Sequence, residues 1–281
     1  MLKSINAWAF QPDRPLPEVF ALAKNAGFDA VEVVIAESGP ITPETTEAAC
    51  RRIAEQAQAA SVPLSGLASG LGWRYPLTAA DPELRRRGLE LTAASLRVAR
   101  WLGIDALLVV PGGVGADFIP GFPITDYDLA YANAAAALQE LAPVAEENRV
   151  HLAVENVWNK FLLSPLEMRG FLESIDSPWV GSYFDIGNVV LTGYPEQWIR
   201  ILGSHIRRVH FKDFRRAIGT LDGFCPLLEG DVDWPTVMRA LHDIGYDGPV
   251  AAEFGGCEPE LANIAVAMDT ILALSPGKKI E

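Results

Sequence analysis

Cysteine is scarce in this sequence, and the few cysteines present are poorly placed for cross-linking or for binding zinc. The chain of 281 residues contains three, Cys50, Cys225 and Cys257, and no two of them form a CxxC pair. This spacing excludes a thiolate zinc site and a disulfide scaffold, and it is typical of a protein in a reducing compartment.

Positive charge is also in short supply. Lysine and arginine number 23 against 36 aspartates and glutamates, which gives a formal net charge of −13 at pH 7. Proteins that bind nucleic acids usually carry the opposite sign, so DNA, RNA and anionic membranes are not expected partners. A local basic pocket is still compatible with this total.

The sequence has no hydrophobic run long enough to cross a membrane. Its longest uncharged stretch covers residues 56–73 and is interrupted by Pro63 and by three glycines. A membrane span needs about 20 consecutive apolar residues. The first residues also lack the apolar core of a signal peptide. We therefore predict a cytoplasmic protein with no membrane partner.

The remaining composition suits a large folded core, because 49% of the residues are hydrophobic and only 21% are charged. Short apolar runs alternate with longer amphipathic ones. The short runs predict eight strands, over Ile5–Phe10, Ala30–Val34, Leu64–Ala68, Ala106–Val110, His151–Glu155, Gly181–Asp185, Arg207–Phe211 and Val250–Phe254. The amphipathic runs predict helices over Pro17–Ala26, Pro43–Ala60, Pro82–Leu102, Asp126–Asn148, Pro165–Ile175, Pro195–Leu202, Trp234–Ile244 and Glu258–Leu274.

The junctions between helices and strands indicate the fold class. Gly27, Gly103 and Gly245 each follow a predicted helix and precede a strand, as left-handed C-caps do. Repeated units of this kind predict an α/β protein with a parallel sheet. Eight units of about 35 residues are the scale of a (β/α)8 TIM barrel, which we expect to form one domain over residues 1–281. A doubly wound open sheet is the alternative, but no GxGxxG motif follows the first strand.

Four consecutive predicted strands end in, or near, a residue that can bind a metal: Glu155, Asp185, His210 and Glu253. In a parallel barrel these ends meet on the face where active sites form. Three carboxylates there would repel one another unless a cation neutralised them. Oxygen ligands with one imidazole suit Mn²⁺, Co²⁺ or Mg²⁺, and zinc is not excluded.

Other polar residues follow the same strands. Asn188 comes just after the sixth strand, and Lys212 just after the seventh, so both are candidates for binding a substrate. Trp158 and Lys160 follow the fifth strand and are further candidates. Arg215 and Arg216 suit a phosphate or carboxylate group, or a solvated loop. Three further residues are interpreted singly. Glu32, at the end of the second strand, either orients a substrate or forms a structural salt bridge. Trp8 either packs in the core or forms an apolar wall, and Asp233 is expected to cap a helix.

The segments AVEN, FDIGN, VHFKD, LEGDVDW and AAEF, in this order, resemble the xylose-isomerase-like barrels of the sugar-phosphate isomerase/epimerase superfamily. The chain is most similar to the ketose 3-epimerases that act on D-tagatose, D-psicose or the 5-phosphates of L-xylulose and L-ribulose. The resemblance implies that the four strand-end residues hold one divalent metal, often Mn²⁺. It also implies that Glu155 and Glu253 act as acid and base, and that Arg216 binds substrate hydroxyls or phosphate.

Two positions depart from the pattern of the epimerases that act on free ketoses. Those enzymes usually have a histidine where this chain has Asn188, and a second glutamate where it has Phe161. The FDIGN and VHFKD segments are closer to the phosphosugar branch. The implied partner is a sugar or sugar phosphate, and barrels of this kind commonly form homodimers or homotetramers.

The predicted reaction is epimerisation at C3 of a ketose or ketose phosphate. Removal of the C3 proton gives an enediolate, whose charge a metal stabilises, and two carboxylates on opposite faces can remove and return the proton. An aldose–ketose isomerase or an inosose-type dehydratase could use the same residues. A barrel subunit that needs a partner is the alternative from another class. Four histidines and a charge of −13 argue against a multi-metal phosphodiesterase.

Overall fold

The computed structural model describes residues 1–274 and contains a closed barrel of eight parallel strands. The barrel strands are β1 (Leu2–Asn6), β2 (Ala30–Ile35), β3 (Leu64–Ser69), β4 (Ala106–Val109), β5 (His151–Glu155), β6 (Val180–Asp185), β7 (Ile206–Phe211) and β10 (Pro249–Ala252). Two short antiparallel strands, β8 (Asp213–Phe214) and β9 (Phe224–Cys225), lie in the loop after β7. The prediction of an α/β TIM barrel is therefore confirmed.

Helices connect successive barrel strands. They are α1 (Leu16–Ala26), α2 (Glu47–Ala59), α3 (Leu71–Arg74), α4 (Pro82–Leu102), α5 (Tyr127–Asn148), α6 (Pro165–Ile175), α7 (Pro195–Leu202), α8 (Trp234–Asp243) and α9 (Leu261–Leu272). Several begin where the sequence predicts a cap. Ser164 accepts a hydrogen bond from the Glu167 amide at the start of α6, and Asp233 accepts one from Thr236 at the start of α8. Gly27 and Gly103 end α1 and α4 with φ of +97° and +75°.

Three predicted boundaries are wrong for local reasons. The first strand ends at Asn6, because the Asn6 side chain accepts a hydrogen bond from Trp8 and starts a short 3-10 turn. Helix α2 begins at Glu47 rather than Pro43, because Thr42 and Thr45 bond to each other in a turn and Thr46 provides the cap. The last barrel strand ends at Ala252, so Glu253 lies just beyond it.

Two apolar regions form the core. The larger one lies between the strands and the surrounding helices. The smaller one fills part of the barrel interior and consists of Ala68, Leu108, Val110, Ala153 and Tyr183. These five residues belong to β3, to β4 and the position after it, and to β5 and β6. Strands β5 and β6 also carry two members of the acidic cluster described below, so the apolar and acidic residues adjoin each other.

Within residues 1–274, no helix combines the length and the apolar character that crossing a bilayer requires. The prediction of one domain over residues 1–281 stays a prediction, and residues 275–281 lie outside the described part. The predicted helix Glu258–Leu274 is shorter in the structure, because Glu258–Glu260 form a 3-10 turn and α9 ends at Leu272.

Two helical glycines should respond in opposite directions to replacement by alanine. A Cβ atom at Gly88 in α4 would lie 2.4 Å from the Tyr75 carbonyl oxygen, whereas a Cβ at Gly170 in α6 would meet no atom within 4 Å. Gly88→Ala should therefore lower the free energy of unfolding by about 1–3 kcal/mol through overpacking. Gly170→Ala should raise it by up to about 1 kcal/mol through helix propensity. Urea unfolding of both variants is the measurement, and equal shifts would contradict the packing described here.

Candidate active site

Four side chains from neighbouring strands converge at the carboxyl end of the barrel. Glu155 and Asp185 end β5 and β6, His210 lies near the end of β7, and Glu253 follows β10. One potential ligand atom from each lies within 4.8 Å of all the others. His210 Nδ1 is 2.8 Å from Glu253 Oε2, 3.5 Å from Glu155 Oε1 and 3.8 Å from Asp185 Oδ2. The structure therefore brings together the four residues that the sequence analysis selected.

The four atoms that face one another are buried, and none of them makes a hydrogen bond of good geometry, although Glu253 Oε2 is 2.8 Å from both His210 Nδ1 and Lys212 Nζ. Leaving a buried polar atom unpaired costs about 1–3 kcal/mol, and more for a charged group. Four such atoms in one place therefore need a common explanation. Three carboxylate oxygens and one imidazole nitrogen are a suitable ligand set for a divalent metal such as Mn²⁺. The donor set therefore fits the ion that the resemblance implies.

Irregular strand pairing places two of these residues side by side. In the β6–β7 pair, Ser182 is opposite Ile206 but Tyr183 is opposite Arg208, so β7 contains one extra residue at that point. The shift sets Asp185 directly opposite His210. Because side chains alternate between the two faces of a strand, pairing without the shift would point one of the two away from the barrel interior.

Glu32 fixes the orientation of His210. Its Oε2 atom is 2.8 Å from His210 Nε2 and also accepts a hydrogen bond from Asn6. Because a carboxylate oxygen accepts, Nε2 is the donor and Nδ1 faces the acidic cluster. Glu32 lies within β2 rather than at its end, where the sequence analysis placed it. Gly66 makes room for it, since a Cβ there would lie 2.9 Å from Glu32 Oε1.

Burial and neighbouring charges shift the pKa values of the cluster in different directions. Burial raises the pKa of Glu155 to about 7, and the nearby Glu253 carboxylate adds to the shift. Burial also raises the pKa of Asp185. For Glu253, burial alone would raise the pKa, but Lys212 and His210 outweigh it and hold the pKa below its usual range. The two glutamates thus differ in proton affinity although they lie in one cluster.

Burial alone would lower the pKa of His210, but the Glu32 and Glu253 carboxylates outweigh it and raise the pKa well above its ordinary value. The imidazole is completely buried, with the Tyr183 ring 4.7 Å away. His210 therefore depends on the surrounding carboxylates for its charge and its orientation.

Two asparagines brace the loops that carry the cluster. Asn156 exchanges hydrogen bonds with the main chain of Asp185, donating to its carbonyl oxygen at 2.8 Å and accepting from its amide at 2.9 Å. The side chain of Asn188 donates to the Asn156 carbonyl oxygen, and its main-chain amide donates to Asp185 Oδ1. Asn188 is predicted to bind substrate, but both its side-chain and its main-chain N–H groups are engaged in holding the loops after β5 and β6.

A cavity of about 350 Å³ adjoins the cluster, and Glu253 and Lys212 form part of its wall. The rest of the wall includes the aromatic side chains of Trp8, Phe224 and Phe254. Trp8 therefore lines a cavity, which is one of the two interpretations drawn from the sequence. Phe224 and Phe254 were missed as wall residues because no spacing rule connects the loop that contains β9 with the end of β10.

The other predicted substrate-binding residues lie elsewhere. Trp158 and Lys160 line a separate, mainly apolar groove of about 670 Å³, which shares no lining residue with the smaller cavity. The Trp158 indole donates to the Asn188 carbonyl oxygen, and the Lys160 ammonium is 2.7 Å from an Asp117 carboxylate oxygen. Their role in binding substrate stays a prediction.

The arginines proposed to bind phosphate already have partners. Arg215 pairs with Glu229 at 2.8 Å. Arg216 donates through Nε to the Val190 carbonyl oxygen, and its guanidinium lies 5.4 Å from the centre of the Tyr194 ring. A phosphate would have to compete with these contacts.

Asp213 organises the loop that carries one wall of the cavity. Its Oδ1 atom accepts hydrogen bonds from the amides of Phe214 and Val232, and its Oδ2 atom accepts from the Leu228 amide and the Trp234 indole. The carboxylate is buried and all its observed partners are donors. Asp213 therefore supports Phe224 and Cys225 without lying in the four-residue cluster.

Comparison with known proteins is consistent with this geometry. Residues 20–273 match the family described as xylose isomerase-like TIM barrel. The chain is 26% identical over 269 residues to the L-ribulose-5-phosphate 3-epimerase UlaE of Salmonella paratyphi A, covering 91% of this chain and 88% of that protein.

Solved structures share the fold. The D-psicose 3-epimerase of Clostridium cellulolyticum H10, determined with D-tagatose, superposes with a TM-score of 0.81 at 18% identity, over 98% of this chain and 99% of that one. An L-ribulose 3-epimerase superposes with a TM-score of 0.78 at 18% identity, over 96% and 94% of the two chains.

Replacing Asp213 by asparagine should destabilise the protein, because an amide cannot accept hydrogen bonds at both ends. Its NH₂ group would meet two donors, at a cost of about 1–3 kcal/mol in the free energy of unfolding. Asp233→Asn is the matched control, since asparagine caps helices as well as aspartate does. Chemical unfolding of the two variants is the measurement. A loss for Asp213→Asn no larger than that for the control would contradict this role.

Proposed function

The chain belongs to the xylose isomerase-like TIM barrel family, and from this premise we propose that it is a divalent-metal-dependent epimerase acting at C3 of a ketose or ketose phosphate. The observation that carries the proposal is the convergence of four buried ligand atoms, from Glu155, Asp185, His210 and Glu253, beside a cavity. The name of the UlaE relative supports the substrate class.

The proposed metal would be held by these four side chains. When bound, it would act as a Lewis acid and stabilise negative charge that develops on substrate oxygens. Mn²⁺ is the ion we favour, and Co²⁺ and Mg²⁺ suit the same ligand set. The protein contributes the fixed ligand geometry: Glu32 holds the His210 ring, and Asn156 holds the main chain of Asp185.

Glu155 and Glu253 are the proposed acid and base. The barrel order β10–β7–β6–β5 places them on the two outer strands of the group, with His210 and Asp185 between them. Epimerisation requires that a proton leave one face of C3 and that another arrive on the opposite face, so two separated carboxylates are suitable. The aromatic walls of the cavity would exclude water around the reacting carbon.

The same cluster would also suit an aldose–ketose isomerase or an inosose-type dehydratase, which begin with a similar proton removal. Their products differ, because the first moves a carbonyl group and the second releases water. Epimerisation inverts one centre and leaves the ketose otherwise intact. Product analysis therefore separates the three reactions.

Glu32→Gln should weaken metal binding although Glu32 is not one of the four proposed ligands. The variant removes the negative charge behind His210, and loss of such a support typically lowers metal affinity about 10- to 100-fold. Isothermal titration of the metal-free protein with Mn²⁺ measures the effect. Glu47→Gln, an exposed glutamate of α2 paired with Arg51, is the control and should bind as the wild type does. Unchanged affinity in Glu32→Gln would argue against the proposed site.

Deuterium incorporation at C3 tests the reaction itself. The Mn²⁺-loaded protein is incubated in D₂O with L-ribulose 5-phosphate, L-xylulose 5-phosphate, D-tagatose and D-psicose, and proton NMR follows the C3 signal. We expect metal-dependent exchange with inversion for at least one ketose. Glu155→Gln and Glu253→Gln should each lower turnover by about 100-fold or more, because a general acid or base is lost.

Metal analysis of the two glutamine variants separates loss of proton transfer from loss of the ion. Full turnover in either variant would refute the acid–base assignment. Formation of an aldose, or loss of water, would replace the epimerase proposal with one of the two related reactions.

A further inference from the structure

Lys212 lies against the proposed ligand cluster rather than free in the cavity. Its Nζ atom is 2.8 Å from Glu253 Oε2 and 3.2 Å from Asp185 Oδ2. Both oxygens belong to the four-residue cluster, so the ammonium pairs with two of the proposed metal ligands at once. The lysine side chain is 19% exposed, which leaves it a path to the cavity.

The position of Lys212 has an electrostatic cause. Lysine carries a positive charge at neutral pH, and the Lys212 ammonium lies within 3.2 Å of two carboxylates of one buried cluster. The ammonium therefore offsets part of the negative charge of that cluster. Without it, the buried carboxylates would repel one another.

A divalent ion and the ammonium would compete for the same two oxygens. Like charges within a few ångströms of each other repel strongly in a poorly solvated site. The cavity beside the cluster offers the ammonium room to move, since Lys212 forms part of its wall. The ammonium already lies 5.4 Å from the centre of the Phe224 ring, and an aromatic face at such a distance would still attract it after it leaves the two carboxylates.

We infer that Lys212 is a displaceable counter-ion, whose ammonium holds Asp185 and Glu253 in the metal-free protein and withdraws toward the Phe224 wall of the cavity when a divalent metal binds. The inference rests on the metal site of the proposed function. It differs from the role predicted for Lys212 from the sequence, because the lysine acts on the ligands before any substrate is present.

Titration of Lys212→Met with Mn²⁺ is the first test. Removing the competing charge should tighten the apparent Kd about 10-fold or more, while the melting temperature of the metal-free variant falls below that of the wild type. Lys160→Met is the matched control, because that lysine is exposed and pairs with Asp117, away from the cluster. Its affinity should not change. Equal or weaker binding of Mn²⁺ by Lys212→Met would overturn the inference.

The wild-type protein provides a second test that does not depend on the folding of a variant. Its lysines are methylated with formaldehyde and cyanoborohydride, with and without Mn²⁺, and each site is quantified by peptide mass spectrometry. Labelling of Lys212 should rise about fivefold or more on addition of Mn²⁺, while the exposed Lys24 and Lys160 stay constant. Labelling of Lys212 that stays constant or falls would overturn the inference.

The two tests also distinguish this inference from the proposed function. Wild-type protein that binds no Mn²⁺ would refute the metal site and the inference with it. Wild-type protein that binds Mn²⁺, but without tighter binding in Lys212→Met or increased labelling of Lys212, would refute only the displacement.

Discussion

Mutual repulsion among three buried carboxylates is the constraint on which the rest of this site depends. Glu155, Asp185 and Glu253 surround one imidazole within 4.8 Å, where water provides little screening. The Lys212 ammonium, within 3.2 Å of two of these carboxylates, counters the repulsion in part, and the carboxylates outweigh burial and raise the pKa of His210. Two cationic side chains beside three carboxylates leave the cluster short of positive charge. Because the negative charge of the cluster is only partly neutralised, a divalent metal could take the place of the Lys212 ammonium, as inferred above.

The barrel has to be irregular to assemble this cluster. One extra residue in β7 brings His210 level with Asp185, and a similar shift between β2 and β3 sets Gly66 opposite Glu32. The missing side chain at Gly66 provides the space for the Glu32 carboxylate. Irregular pairing and a glycine within a strand would weaken an ordinary sheet. In this barrel the irregular pairing and the glycine orient the His210 imidazole, so the geometry of the site is obtained at a cost to the local stability of the sheet.

The sequence predicts the parts of this protein that depend on local pattern. Strand ends such as Glu155 and Asp185 can be recognised because a polar residue closes an apolar run, and parallel strands bring such ends together. The contact between Glu32 and His210 could not be predicted, since it depends on a register shift between strands. The pairing of Lys160 with Asp117 could not be predicted either, because it joins two loops that no sequence pattern relates.

The placement of the two glutamates bears on the proposed chemistry. Glu155 ends β5 and Glu253 follows β10, so Asp185 and His210 of β6 and β7 lie between them. A substrate held above the four-residue cluster would thus have one carboxylate on each flank, as two-sided proton exchange requires. The interior residues Ala68, Leu108 and Val110 carry no side-chain group that could exchange a proton. Proton transfer in the proposed reaction is therefore left to the residues of the cluster and to Lys212 beside it.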